Sequence, residues 1–157
     1  MSKKIIGIDP GIAIVGYAVV GGNKKDPIIY DYGVLTTNKG GEEMVKDRLY
    51  EIQKDLDYIL SEHQPDLAVV EKLFFFQNAK TVIQVAQARG VILSCLAKHG
   101  VEVIEPTPLQ VKQSLTGHGR ADKKQIIKLM EKYYKLDHKI TPDDAADALA
   151  MGYYELN

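Results

Sequence analysis

Lys4-Ile5-Ile6-Gly7-Ile8-Asp9-Pro10-Gly11 is a short β-branched run that ends on an acid and a turn. Its near-continuous apolar character predicts a buried strand, and Pro10-Gly11 punctuates it. Outward from it, Ala13–Val20 and Ile28–Leu35 read as two more strands, joined through Gly21-Gly22-Asn23 and Pro27. Short Gly/Asn/Pro connections between extended runs predict an antiparallel meander. The period then changes. Met44, Val45, Leu49, Ile52, Leu56, Ile59 and Leu60 recur at three- and four-residue steps, predicting a helix from Glu42 to about His63 that Pro65 stops. Asp66–Glu71 is a fourth strand, apolar enough to be buried on both faces of a parallel pairing. A helix from about Asn78 to His99 is ended by Gly100, and Val101–Ile104 is a fifth strand. Helices follow at Pro108–Ser114, Ala121–Tyr134 and Pro142–Tyr154. The fold class is α/β: one domain over residues 1–157, with a five-stranded mixed sheet flanked by helices on both faces and its first three strands antiparallel.

The chain has 157 residues, 45% hydrophobic and 26% charged, with a formal net charge of −1. That balance excludes a disordered chain. No window approaches the ~18 consecutive apolar residues of a membrane span. The N-terminus enters the first strand without a secretory h-region, and Cys95 is the single cysteine, so a reducing intracellular setting is expected and a multi-cysteine zinc site is not. The charge is unevenly spread. Gln110 to Lys139 holds eight basic and three acidic residues, so this window carries +5 and the remainder −6. A solvated lysine-rich helix face accounts for such a block, and so does a surface that holds a polyanion.

Asp9 ends the first strand and Glu71 the fourth. A carboxylate at the end of a buried strand is costly unless hydrogen bonds or a cation compensate. If strands one and four are parallel neighbours, both acids emerge at the same edge, where open α/β sheets bind ligands. Taken singly, Asp9 also reads as a turn residue and Glu71 as a surface charge. The third element is Thr141-Pro142-Asp143-Asp144-Ala145-Ala146-Asp147-Ala148-Leu149-Ala150. Thr141 as N-cap and Pro142 at the first position start a helix, whose dipole favours acids in its first turn. That accounts for Asp143 and Asp144 but not for Asp147, nor for the alanines that allow close approach to a sheet. Asp144 and Asp147, three apart, share a helix face; Asp143 and Asp147, four apart, are a second pair that spacing leaves open.

Four carboxylates suit two Mg²⁺ ions, hard cations that take oxygen ligands. Two such ions roughly 3.5–4 Å apart activate a water and stabilise the leaving oxygen in phosphodiester hydrolysis. His63, His99, His118 and His138 are scattered along the sequence and suggest no zinc cluster.

With these acids in place, the sequence resembles the RuvC family of Holliday-junction resolvases, within the ribonuclease H-like superfamily. Gly7-Ile8-Asp9-Pro10-Gly11 is similar to the family's opening motif and Glu71–Asn78 to its second block. Gln87-Ala88-Arg89-Gly90-Val91 resembles the helix that follows, Val111–Ser114 with Gly117-His118-Gly119 and Lys123 the basic segment, and Asp144–Ala150 the closing motif. The resemblance implies Asp9, Glu71, Asp144 and Asp147 as catalytic metal ligands, with Asp143 outside the set. It implies two Mg²⁺ per active site, with Mn²⁺ able to substitute. It further implies a cytoplasmic homodimer that makes symmetric paired nicks in four-way DNA during homologous recombination and repair, and a branch-migration helicase complex as partner. The net charge departs from the basic balance expected of a junction binder, and the 110–139 window offsets it.

All three phenylalanines are consecutive, Phe74 to Phe76, and cannot all face one core. Family likeness favours Phe74 and Phe75 as residues that stack on unpaired bases; core or dimer-interface packing is the alternative for two of the three, and Phe76 is assigned to it. Lys112, Arg120 and Lys123 are the candidate phosphate contacts. His118 reads as a solvent-facing loop residue and Cys95 as buried packing. Three alternatives remain: a ribonuclease H-like nuclease acting on RNA or other branched DNA, a junction-binding module without chemistry, and an actin-like kinase, which needs a second lobe that 157 residues cannot hold.

Overall fold

The computed structural model describes residues 2–37, 44–72 and 81–157. Strands β1 (Ile5–Asp9), β2 (Ile14–Asn23) and β3 (Asp26–Thr36) are followed by α1 (Val45–His63), β4 (Leu67–Val70), α2 (Val82–Lys98) and β5 (Glu102–Ile104). Helices α3 (Pro108–Thr116), α4 (Lys123–Tyr133) and α5 (Asp143–Tyr154) complete the chain. The five strands form one sheet in the order β3-β2-β1-β4-β5. β1, β2 and β3 are antiparallel, and β4 runs parallel to β1 and β5 parallel to β4. The mixed sheet expected from the sequence is therefore the one observed. No helix among the described residues is long and apolar enough to cross a membrane.

Alternation along the strands divides the core in two. Ile6, Ile8, Val15, Val19, Ala68 and Val70 point to one face, where they pack with Ile52, Leu56 and Leu60 of α1 and Ala88, Ile92 and Leu96 of α2. Ile5, Ala18, Val20, Leu67 and Val69 point to the other, under α5, α3 and α4. Burying one such aliphatic side chain stabilises by about 1.5–3 kcal/mol, so both faces anchor their helices firmly.

Several boundaries differ from those expected. β2 continues through Gly21 and Gly22, read above as a connection, because these residues still pair with Ile28 and Pro27 of the edge strand β3. The hairpin turn is Lys24-Lys25, where the Asn23 side-chain oxygen accepts from the N–H groups of Lys25 and Asp26. Pro27 is tolerated because β3 is an edge. The residues expected to begin the first and second helices, Glu42 and Asn78, lie outside the described residues. Helix α5 begins one residue later than expected: Pro142 is the N-cap, no side chain caps the helix, and Asp143 and Asp144 form the first turn. The end of α2 follows expectation. Gly100, at φ 68°, lets its N–H reach the Ala97 carbonyl and that of Val101 the Leu96 carbonyl, a Schellman motif.

Candidate active site

Register brings the first two acids together. Ile8 is opposite Val70 in the parallel β1–β4 pair, so Asp9 and Glu71 occupy the next step, at the carboxyl ends of both strands. By the two-residue period, Asp9 lies on the face of Ile5 and Gly7, and Glu71 on that of Leu67 and Val69. Both faces are the one covered by α5.

Small residues then bring α5 down. A Cβ on Gly7 would fall onto the Ala148 carbonyl oxygen and lie 2.6 Å from the Gly152 nitrogen. A Cβ on Gly16, the residue paired with Asp9, would fall onto the Asp144 carbonyl oxygen. With Ala145, Ala146 and Ala148 fully buried, the helix backbone rests on the sheet. Asp144 and Asp147 project past its edge toward Asp9 and Glu71, whereas Asp143 is exposed and outside the cavity. Of the two pairs left open by spacing, Asp144 with Asp147 is the one that lines the cavity.

The four acids line one cavity of about 430 Å³, together with Arg89 of α2, Lys112 of α3 and Lys123 of α4. Lys123 Nζ is 3.5 Å from Asp147 Oδ2. Burial pushes Asp9 well above the usual carboxylate range, and the charges of Asp147, Glu71 and Asp144 push it further. Burial and Asp147 push Glu71 up to about 7 against the opposing pull of Lys112 and Lys123. Asp147 is also raised, chiefly by burial, although Lys123 and a hydrogen bond from Asp9 favour its ionised form. Partial burial disfavours the Lys123 charge, but Asp147, Asp144 and Asp9 outweigh it and the ammonium is held above its ordinary value. The cavity gathers four carboxylates, hard oxygen donors of the kind that divalent cations take as ligands, and a bound cation would favour their ionised forms.

The acids do not close into a cage for a single ion. Among the described residues, the group whose ligand atoms all lie within 4.8 Å of one another is Asp57, Cys95 and His99, away from this cavity. A spread set of carboxylates leaves room for waters and substrate oxygens around each ion.

Of the other expected site residues, Arg120 is exposed on the loop before α4 and does not line the cavity. Phe74 and Phe75 lie outside the described residues. His118 is exposed, as expected, and its Nδ1 accepts from the Arg120 N–H. Arg89 was not singled out by the sequence reading. Its Nε donates to the Glu71 carbonyl at 3.2 Å, and its Nη2 is 3.3 Å from Glu105 Oε1. The available signal was a guanidinium between buried Ala88 and Ile92 on an otherwise apolar helix.

A family model described as crossover junction endodeoxyribonuclease RuvC matches residues 5–153. A crossover junction endodeoxyribonuclease RuvC of Fusobacterium nucleatum is 45% identical over 154 residues, covering 98% of this chain and 80% of the relative. That of Petrotoga mobilis is 46% identical over 151 residues, covering 95% and 90%. Among solved structures, Thermus thermophilus RuvC superposes with a TM-score of 0.86 at 30% identity over 96% of this chain and 92% of the other. The same protein in complex with a Holliday junction substrate gives a TM-score of 0.89 at 30% identity over 97% and 92%.

Proposed function

The chain belongs to the RuvC family of crossover junction endodeoxyribonucleases, and from that premise we propose that Asp9, Glu71, Asp144 and Asp147 hold two Mg²⁺ ions at which it cuts a four-way DNA junction. The observation that carries this reading is the convergence of four acids from β1, β4 and α5 on one cavity, in which burial and mutual repulsion oppose the ionisation of Asp9, Glu71 and Asp147. The metal would supply an activated water and stabilisation of the leaving 3′-oxygen.

The remaining roles belong to the chain itself. Asp9, on which the charges of all three other acids act, would hold the metal together with Glu71, Asp144 and Asp147. Lys112 and Lys123, on the cavity wall, hold phosphates of the strand being cut. Arg120, exposed beyond the rim, holds a phosphate further along the duplex, and Phe74 and Phe75 stack on the unpaired bases of the crossover. Two copies of the chain act as a homodimer so that symmetric strands are nicked in pairs. The exposed Ile83 of α2, and Gly90 with open space where its Cβ would lie, support a face on that helix for the second copy. The setting is cytoplasmic recombination and repair, with a branch-migration helicase complex as partner.

Cleavage of a mobile synthetic junction in Mg²⁺ tests the reading. Paired symmetric nicks are expected from the native chain and none from Asp9→Asn, which removes a charge with little change of shape. An Asp9→Asn protein that cuts at the native rate overturns the site, and equal cutting of linear duplex overturns the substrate.

A further inference from the structure

On the opposite face of the sheet from the carboxylate cavity, three side chains of different chemistry meet between α1 and α2. Cys95 and His99 are four residues apart at the end of α2 and so share one helix face. Asp57 of α1 faces both. Its Oδ1 lies 3.1 Å from Cys95 Sγ and 2.8 Å from His99 Nε2, and one ligand atom of each residue lies within 4.8 Å of the others. The sequence reading took Cys95 as packing and the histidines as scattered. Cys95 is buried, but its thiol donates to Asp57 rather than only filling space, and His99 is brought to it by helix periodicity and the packing of α1 on α2.

We propose that Asp57, Cys95 and His99 form a binding site for one thiophilic divalent cation of the Zn²⁺ class, separate from the nuclease metals. Zinc bonds of about 2.0–2.3 Å place tetrahedral ligand atoms roughly 3.3–3.8 Å apart, so these side chains need only small adjustments. Sulfur and imidazole select zinc over the hard Mg²⁺ of the nuclease site. The Lys98 ammonium occupies the other carboxylate oxygen, at 3.1 Å from Oδ2, which leaves Oδ1 for the ion. A cavity of about 390 Å³ between α1 and α2, lined by Gln53, Gly90, Ser94, Cys95 and Lys98, lies beside Cys95, on the α2 face that also carries Gly90, and gives room for a water as fourth ligand. Binding replaces the thiol proton, which leaves to solvent as the sulfur–metal bond forms. The ion ties α1 to α2 and stabilises the fold by mass action, without contact with the reacting DNA.

Metal titration of the full-length, chelator-treated protein tests this. Co²⁺ as probe is expected to give a near-ultraviolet thiolate-to-cobalt band that one equivalent of Zn²⁺ per chain abolishes. The band persists in Asp9→Asn and is lost in Cys95→Ser. His99→Gln, which leaves the buried thiol in place, is expected to weaken Zn²⁺ binding by at least about tenfold, a loss of 1.4 kcal/mol or more. Absence of the band in the native protein, or zinc binding unchanged by both Cys95→Ser and His99→Gln, overturns the proposal.

Discussion

Gly16 and Asp144 meet backbone to backbone: no side chain can stand between the β2 residue paired with Asp9 and the helix residue that faces it. The neighbour a Cβ would strike is a carbonyl, which cannot rotate away as a side-chain tip can. Gly16→Ala therefore must lift the first turn of α5 and carry Asp144 and Asp147 away from Asp9. Overpacking of this kind costs about 1–3 kcal/mol. The expected outcome is a lowered unfolding midpoint together with a fall in junction cleavage of at least about tenfold, since a displacement of about 1 Å at a catalytic centre can cost far more. Thermal unfolding and single-turnover cleavage on the same preparation check it.

The carboxylate cavity makes the metal-free protein weaker at high pH. Glu71 has an ordinary value of 4.5 and is pushed up to about 7 when folded. Below 4.5 both states are protonated and nothing is lost. Between 4.5 and 7 the unfolded chain ionises while the folded one resists, so stability falls as pH rises and levels off above 7. The span corresponds to an order of about 3 kcal/mol at full effect. In chelator, Glu71→Gln is expected to match the native protein near pH 4 and to exceed it increasingly up to pH 7. Mg²⁺ is expected to narrow the gap by favouring the ionised native site. Denaturant unfolding at several pH values, with and without Mg²⁺, provides the check.

The architecture was largely legible because it rests on periodicity. Ile6, Ile8, Ala68 and Val70 pair as buried parallel strands must, and the alanine run around Asp147 announced a helix lying close on a sheet. The strand ends offered Asp9 and Glu71 as candidates, and it took the expected parallel pairing and the family resemblance to join them. What stayed hidden depends on distances between elements rather than within them. Spacing could not separate Asp143 from Asp144, since the choice is made by how α5 is rotated over Gly7 and Gly16. The link of Asp57 to Cys95 and His99 spans about forty residues of sequence and arises only when α1 packs on α2. Glycines 21 and 22 misled because pairing to β3 overrides their turn preference.

Cys95 should resist alkylation while the metal-free protein is folded. Burial, and then the hydrogen bond and charge of Asp57, push its thiol up from 9.0 to about 12. At pH 8 the thiolate population is then smaller by a factor on the order of a thousand than in the unfolded chain, before access is considered. Iodoacetamide labelling in chelator is expected to run at least about 100-fold slower on folded than on urea-unfolded protein. Asp57→Asn, which removes the charge that opposes the thiolate, should raise the folded rate without changing the unfolded one.

Arg89 holds the strand end that carries Glu71. Its Nε donates to the Glu71 carbonyl and its Nη2 pairs with Glu105 just beyond β5, while the neighbouring Lys72 N–H donates to the Pro106 carbonyl at 2.9 Å. The guanidinium thus ties the segments leaving β4 and β5 to α2, and it is expected to act on the chemistry through Glu71 rather than by touching substrate. A lysine cannot reproduce two contacts that use different nitrogens of one planar fork. Arg89→Ala and Arg89→Lys are both expected to lower the single-turnover rate by about 10–100-fold and to raise the Mg²⁺ concentration needed for half-maximal cleavage. Junction affinity measured in Ca²⁺ should change less than threefold, because Lys112 and Lys123 are untouched. A loss of junction affinity as large as the loss of rate would mean that Arg89 binds DNA directly, and full activity in Arg89→Lys would mean that positive charge alone suffices.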